Sequence, residues 1–210
     1  MSYTLARKDY DKHELLEADC PDQPFELLHK WLEEAHTDSE DANAFVLSTV
    51  DASGCPSSRV VLLRELSERG ISFFTNYNSK KGRDLLENPN ASVNFFWPWM
   101  ERQVRVQGTV QKLTEEENDA YFNSRPRESQ IGAWASQQSD TLSSRSTLEN
   151  KVLELSKVYE GKPIERPKHW GGFLIRLHYF EFWQGRPSRL HDRISYRKDN
   201  QEWIKARLNP

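Results

Sequence analysis

The feature that most limits what this chain can fold into is a change of hydrophobic period after about forty residues. From there on, apolar residues recur every second position in short runs separated by brief turns. Val104, Val106, Gly108 and Val110 alternate with Arg105, Gln107, Thr109 and Gln111, the pattern of a strand with one face in a core and the other in water. Ala44 to Val50 reads as a strand, Asp51-Ala52-Ser53-Gly54 as a turn and Arg59 to Leu66 as a second strand, with Glu68-Arg69-Gly70 turning into Ile71 to Thr75. Such a succession is an antiparallel meander. Within it, Val60-Val61-Leu62-Leu63 is apolar without alternation, which predicts a strand covered on both faces. Ala91 to Trp97 and segments near Phe173 to Trp183, Arg193 to Arg197 and Trp203 to Leu208 continue the strand pattern.

Helices fit around these strands. Phe25, Leu28, Trp31, Leu32 and Ala35 fall at helical spacing after Pro24, and Ser79 is placed to cap a short helix ended by Asn88-Pro89. Thr114 and Glu117 stand in capping-box positions for a helix to Asn123, with further helices around Ile131 and from Ser144 to Tyr159. Six or seven antiparallel strands with peripheral helices predict a mainly β fold, a small barrel. Residues 1–22 are charged and aperiodic and read as a mobile arm; residues 23–210 read as one domain.

No stretch approaches the roughly eighteen apolar residues of a membrane span, and the first twenty residues lack a signal peptide's apolar centre, so the expected location is cytoplasmic. Cys20 and Cys55 belong to no Cys/His cluster, which suggests neither a disulfide framework nor a metal site. A net charge of -3 argues against a nucleic-acid partner. Locally, however, cations gather in Arg59 to Arg64, Lys80 to Arg83, Arg102 to Arg105, Arg125 to Arg127 and Arg186 to Arg193. Any one cluster is adequately explained as a solvated face; their combination suits small polyanionic ligands.

Two clusters have the form of phosphate sites. Lys80 and Lys81 open a helix, where free backbone N–H groups favour an anion, and Arg59 and Arg64 bracket a strand that otherwise reads as buried. A phosphate met by Arg59, Lys80 and Lys81 would answer both. In Tyr121 to Trp134 a helix ends at Arg125-Pro126, so that Tyr121, Arg125 and Ser129 can converge as a second cradle. A helix-turn-helix corner with Tyr121 in the core accounts for the same residues. Arg186 to Arg193, directly after the aromatic strand Glu181-Phe182-Trp183-Gln184-Gly185, resembles a polar site at a strand end. Gly-x-Ser-x-Gly, GxGxxG, Walker and HExxH motifs are all lacking.

Arg59-Val-Val-Leu-Leu-Arg64, Phe74-Thr75-Asn76, Ser79-Lys80-Lys81, Glu101-Arg102-Gln103-Val104, Tyr121 to Trp134, Gln138-Ser139, Trp170-Gly171-Gly172, Glu181 to Gly185 and Arg189-Leu190-His191-Asp192-Arg193, in this order, resemble the pyridoxamine 5'-phosphate oxidase family over almost the whole chain. The resemblance implies a homodimeric FMN-binding split β-barrel, with each flavin in a cleft between subunits. The implied reaction oxidises pyridoxamine or pyridoxine 5'-phosphate to pyridoxal 5'-phosphate with O2, giving hydrogen peroxide, and ammonia from the amine. This is the pyridoxal 5'-phosphate synthase activity of vitamin B6 biosynthesis and salvage.

It implies FMN-binding roles for Arg59, Val60, Val61, Leu62, Leu63, Arg64, Phe74, Thr75, Lys80, Lys81, Gln103, Gln138, Ser139, Trp183 and Arg193. Substrate would be met by Arg7, Tyr10, Arg64, Tyr121, Arg125, Ser129, Arg189, Leu190 and His191, with Arg189 and His191 as the catalytic groups against the pyridine ring. The chain departs from the family in having Arg64 for a usual Lys, Phe74 for Tyr, Lys80 for Arg, and Lys12-His13-Glu14 where glycines usually follow the arm's Tyr. The competing expectations are a split barrel that binds FMN or pyridoxal phosphate without turnover, and a related flavin reductase acting on another substrate.

Overall fold

The alternating segment around Val104 to Val110 becomes the middle of the sheet. In a computed structural model, which describes residues 9–210, the strands are β1 (Ala44–Val50), β2 (Pro56–Leu62), β3 (Glu65–Ser67), β4 (Gly70–Asn76), β5 (Asn90–Trp97), β6 (Arg102–Lys112), β7 (Trp170–Gln184), β8 (Asp192–Asp199) and β9 (Glu202–Arg207). The helices are α1 (Pro24–Asp38), α2 (Lys80–Glu87), α3 (Glu115–Ser124), α4 (Arg127–Ala135) and α5 (Arg145–Val158). The strands run in the order β2-β1-β5-β6-β7-β4-β3, with β8 on β7 and β9 on β8. All pairings are antiparallel.

The ends of this order meet because β2 and β3 belong to one stretch of chain. β2 pairs with β1 along its length, and then the backbone crosses over: Leu63 N–H donates to Asn43 O and Arg64 N–H to Ser72 O, each at 2.9 Å. β3 continues on β4. The expected single strand from Arg59 to Leu66 is therefore broken at Leu63-Arg64. The expectation that Val60 to Leu63 is covered on both faces is corrected as well: Val60 is 65% exposed and Leu62 38%. Among the described residues β2 has β1 as its only full neighbour in the sheet. Nine strands are found among the described residues, against the six or seven expected for the barrel; the break at Leu63-Arg64 divides one expected strand in two, and the β8–β9 hairpin falls on the segments Arg193 to Arg197 and Trp203 to Leu208 that the sequence marked as strand.

β7 is shared. Its first half pairs with β4, its second half with β8, and β6 follows it throughout, with the register shifting at Gln107/Gly108. A Cβ at Gly108 would stand 2.5 Å from the carbonyl oxygen of Arg176, so glycine is what lets the two strands approach there. The barrel interior is aromatic, with Phe45, Phe73, Phe95, Phe173, Phe180 and Phe182 all at or below 1% exposure. A second, smaller core of Phe122, Ile131, Ala133, Ile164 and Trp170 lies under α3, α4 and α5. No helix among the described residues is long and apolar enough to cross a membrane.

The described part of the amino-terminal segment lies along the barrel. Asp11 and Lys12 donate their N–H groups to a carboxylate oxygen of Glu101 (3.1 and 3.2 Å), Leu15 N–H donates to Asp192, and the Leu15 and Cys20 side chains are buried. Arg7 lies outside the described residues.

The Phe95 ring is fully buried, 5.3 Å from Phe45 and 5.6 Å from Trp97. Phe95→Ala is expected to cost about 3–5 kcal/mol of stability through lost transfer energy and the cavity left behind, measurable by urea denaturation.

Candidate functional site

A cavity of about 590 Å³ opens between β2, β4, α2 and the α3–α4 corner. Among the described residues its lining includes Arg59, Arg64, Lys81 and Arg125 and no Asp or Glu. Val60, Val61, Leu62, Phe74, Thr75, Tyr121, Ser129, Gln138 and Trp170 complete most of the wall.

At one end the start of α2 turns Lys81 inward. The Ser79 hydroxyl caps the helix by accepting from Gly82 N–H at 3.2 Å, and Gly82 is required because a Cβ there would meet the Tyr77 carbonyl oxygen at 2.2 Å. Lys81 is 7% exposed, and its Nζ donates to the hydroxyls of Thr75 (3.2 Å) and Ser79 (3.4 Å). Among the described residues no carboxylate pairs with it. Burial, and secondarily the charge of Arg59, pulls its pKa down to about 8. Arg59 lies alongside, donating to Leu47 O (3.2 Å), Thr49 Oγ1 (2.8 Å) and Ser57 Oγ. Burial lowers its pKa, partly offset by Asp84. Lys80, one residue before Lys81, points elsewhere: it pairs with Asp84 at 3.2 Å and Asp51 at 3.6 Å and does not line the cavity. Its hydrogen bond to the Asp84 carboxylate raises its pKa. Ser139 likewise stands outside the lining, accepting from Lys80 N–H at 3.1 Å.

The other end is built at the Arg125-Pro126 break. Pro126 has no N–H to continue α3, so α4 starts afresh at Arg127 and the two helices meet at a corner. Tyr121 stacks on Phe74 with ring centroids 3.8 Å apart, while Phe122 takes the buried core position. The Arg125 guanidinium sits 4.4 Å over the Trp170 ring, and its buried Nη1 has no hydrogen-bond partner. Burial pulls the pKa of Arg125 down, with Tyr121 opposing and Arg64 reinforcing. The Arg64 guanidinium carbon lies 5.8 Å from the Tyr121 ring.

The remaining residues form a second group, outside this cavity. Gln103, Trp183 and Arg193 stand side by side across β6, β7 and β8. The His191 ring is 4.7 Å from Trp183 and 5.7 Å from Tyr10. Its Nδ1 accepts from Arg186 N–H at 3.1 Å, so a neutral ring carries its proton on Nε2. Burial, then the charge of Arg189, lowers its pKa against the pull of Asp192. Ser188 and Arg189 are both left-handed (φ 57° and 65°), a strained backbone that presents Arg189 and the 69%-exposed Leu190. Arg193 is held by Glu181 through Nε (3.0 Å) and Nη2 (2.9 Å). Leu63 packs against the barrel core.

Sequence reasoning passed over Asp84, Thr49 and Ser136, and quoted Asn76, Trp170 and Glu181 within motifs without giving them a role. Asp84 was detectable as an acid four residues after Lys80 on a helix; Thr49 and Ser136 carry no local signal.

Two family models match the chain: one described as pyridoxamine 5'-phosphate oxidase over residues 32–159, the other as the pyridoxine 5'-phosphate oxidase C-terminal dimerisation region over residues 170–210. A pyridoxine/pyridoxamine 5'-phosphate oxidase of Actinobacillus succinogenes is 50% identical over 205 residues, covering 97% of each chain. That of Microcystis aeruginosa is 47% identical over 206 residues, covering 97% of this chain and 96% of its own. Among solved structures, PhzG from Burkholderia lata in complex with tetrahydrophenazine-1-carboxylic acid aligns with a TM-score of 0.88 at 32% identity, over 95% of this chain and all of its own. A pyridoxamine 5'-phosphate oxidase-related FMN-binding protein from Nostoc punctiforme shares the fold, with a TM-score of 0.71 at 17% identity, over 90% of this chain and 98% of its own.

Lys81 sets a pH dependence of stability. Its folded pKa of about 8 lies below the ordinary lysine value, so between the two the unfolded chain binds more protons and stability rises with pH. Denaturation of the ligand-free protein between about pH 7.5 and 10 should show this rise, and Lys81→Met should flatten it relative to wild type.

Proposed function

Because the chain belongs to the pyridoxamine 5'-phosphate oxidase family, we propose that it binds FMN and oxidises pyridoxamine or pyridoxine 5'-phosphate to pyridoxal 5'-phosphate. The observation that carries this reading is the cavity with four cations and no acid in its lining. Its cations gather at two separate ends, half-buried Arg59 with buried Lys81 and exposed Arg64 with half-buried Arg125, which suits two phosphate monoesters. A phosphate fits both ends: it would give the Lys81 ammonium the counter-charge that hydroxyls cannot, and Arg125 Nη1 the acceptor it lacks. On this assignment Arg59 and Lys81 hold the flavin phosphate, and Tyr121, Arg125, Ser129 and Arg64 hold the substrate phosphate.

When bound, the flavin supplies the two-electron acceptor, and O2 then takes the electrons to give hydrogen peroxide. The protein's part is to bind, orient and exclude water. A second chain completes the site: residues 170–210 match a dimerisation region and contain Trp183, Arg189, His191 and Arg193. The exposed outer face of β2, with Val60 and Leu62, offers apolar surface for a partner to cover. The partner would bring its aromatic, imidazole and guanidinium groups to the open side of the cavity. His191 and Arg189 then orient the ring and stabilise charge there. A non-catalytic flavin carrier would have no need of the second cationic end.

Light scattering is expected to give twice the mass of the chain, with one FMN per subunit; a monomer retaining FMN would contradict the shared site. Lys81→Ala removes a charge-assisted contact and should weaken FMN binding about ten- to a hundredfold, with activity returning in excess FMN. Arg125→Ala should keep the flavin spectrum and raise the KM for pyridoxine 5'-phosphate without rescue by FMN. Arg189→Ala or His191→Ala should lower kcat at saturating substrate. Flavin titration and steady-state kinetics check all four, and the two-end assignment fails if Arg125→Ala sheds FMN.

A further inference from the structure

Behind the acid-free wall of the cavity stands a buried carboxylate. Asp84, 4% exposed on the second turn of α2, accepts from the Thr49 hydroxyl at 2.7 Å and lies 3.9 Å from Arg59 Nη2. We propose, resting on the assignment of Arg59 to the flavin phosphate, that Asp84 is a positioning residue which fixes Arg59 through Thr49.

The direction of the hydrogen bonds decides the matter. A carboxylate can only accept, so the single proton of the fully buried Thr49 hydroxyl goes to Asp84. The hydroxyl's lone pairs are thereby turned to Arg59 Nη1, 2.8 Å away. Nη1 also donates to Leu47 O and Nη2 to Ser57 Oγ. Three of the five N–H groups of the guanidinium are thus held on the protein, and its planar geometry fixes the direction of the remaining two. Without Asp84 the Thr49 hydroxyl could turn its proton towards Arg59, and the guanidinium would lose one of its three acceptors.

Simple electrostatics predicts the opposite sign. A fixed negative charge beside Arg59 and Lys80 weakens the attraction for a dianion, so removing it should tighten FMN binding. Positioning predicts that removing it loosens binding.

The test is fluorescence titration of the flavin-free protein with FMN and, in parallel, with riboflavin, which lacks the phosphate. Asp84→Ala and Thr49→Val should each lower FMN affinity about tenfold and leave riboflavin affinity unchanged. Asp84→Asn, which keeps an acceptor oxygen for Thr49 but no charge, should remain within about threefold of wild type. FMN affinity in Asp84→Ala and Thr49→Val equal to or tighter than wild type overturns the proposal. Parallel loss of riboflavin overturns it too, since that marks a general structural role. Wild type binding neither flavin defeats the flavin reading itself.

Discussion

Everything in this molecule depends on how one stretch of backbone changes partners. Between β2 and β3 the chain must give its hydrogen bonds first to one end of the sheet and then to the other, because backbone groups left unpaired inside a protein are costly. The bonds from Leu63 to Asn43 and from Arg64 to Ser72 make that transfer and close the barrel. They also set the site. Before the crossing, Arg59, Val60 and Leu62 face the cavity; just after it, Arg64 faces the cavity's other end.

The second organising force is a cost left standing. Burying Lys81 and Arg125 without carboxylates is unfavourable, as the lowered pKa of each records. Hydroxyls and an aromatic face moderate the cost without cancelling it. The barrel's aromatic core, where six Phe side chains are essentially inaccessible to water, supplies stability that can carry such a site. Acids are deployed elsewhere: Asp84 and Asp51 behind the wall on Lys80, and Glu181 on Arg193 in the second group. Of the cations that face the cavity, Lys81, Arg64 and Arg125 have no ion pair among the described residues, and Arg59 has Asp84 at 3.9 Å.

The two groups of candidate residues are kept apart by the sheet's own geometry. β6 and β7 run through the middle, and Gln103, Trp183 and Arg193 lie at the end of that pairing away from β4. The segment from Tyr10 to Leu15 is laid against this second group, with a Cβ at Gly185 standing only 2.7 Å from the Tyr10 ring. A single chain therefore carries two partial surfaces, one cationic and concave, the other aromatic and half-buried.

Much of the architecture was legible in sequence because it is locally coded. The Ser79 cap, the Thr114–Glu117 capping box, the helix break at Arg125-Pro126 and the two-residue period of β6 each follow from a few adjacent residues. So does the presence of several cationic segments. What only the tertiary structure decided is which way those segments point. Val60 to Leu63 has the composition of a doubly covered strand, yet its exposure depends on what packs outside it. Lys80 and Lys81 are identical in type and adjacent in sequence, but a helix turns about 100° per residue. One therefore reaches outward to Asp51 and Asp84, while the other is buried behind Thr75. Composition and spacing fix how often a charge occurs along an element; the packed face of that element, set by contacts far away in sequence, fixes whether the charge meets water, an acid or a cavity.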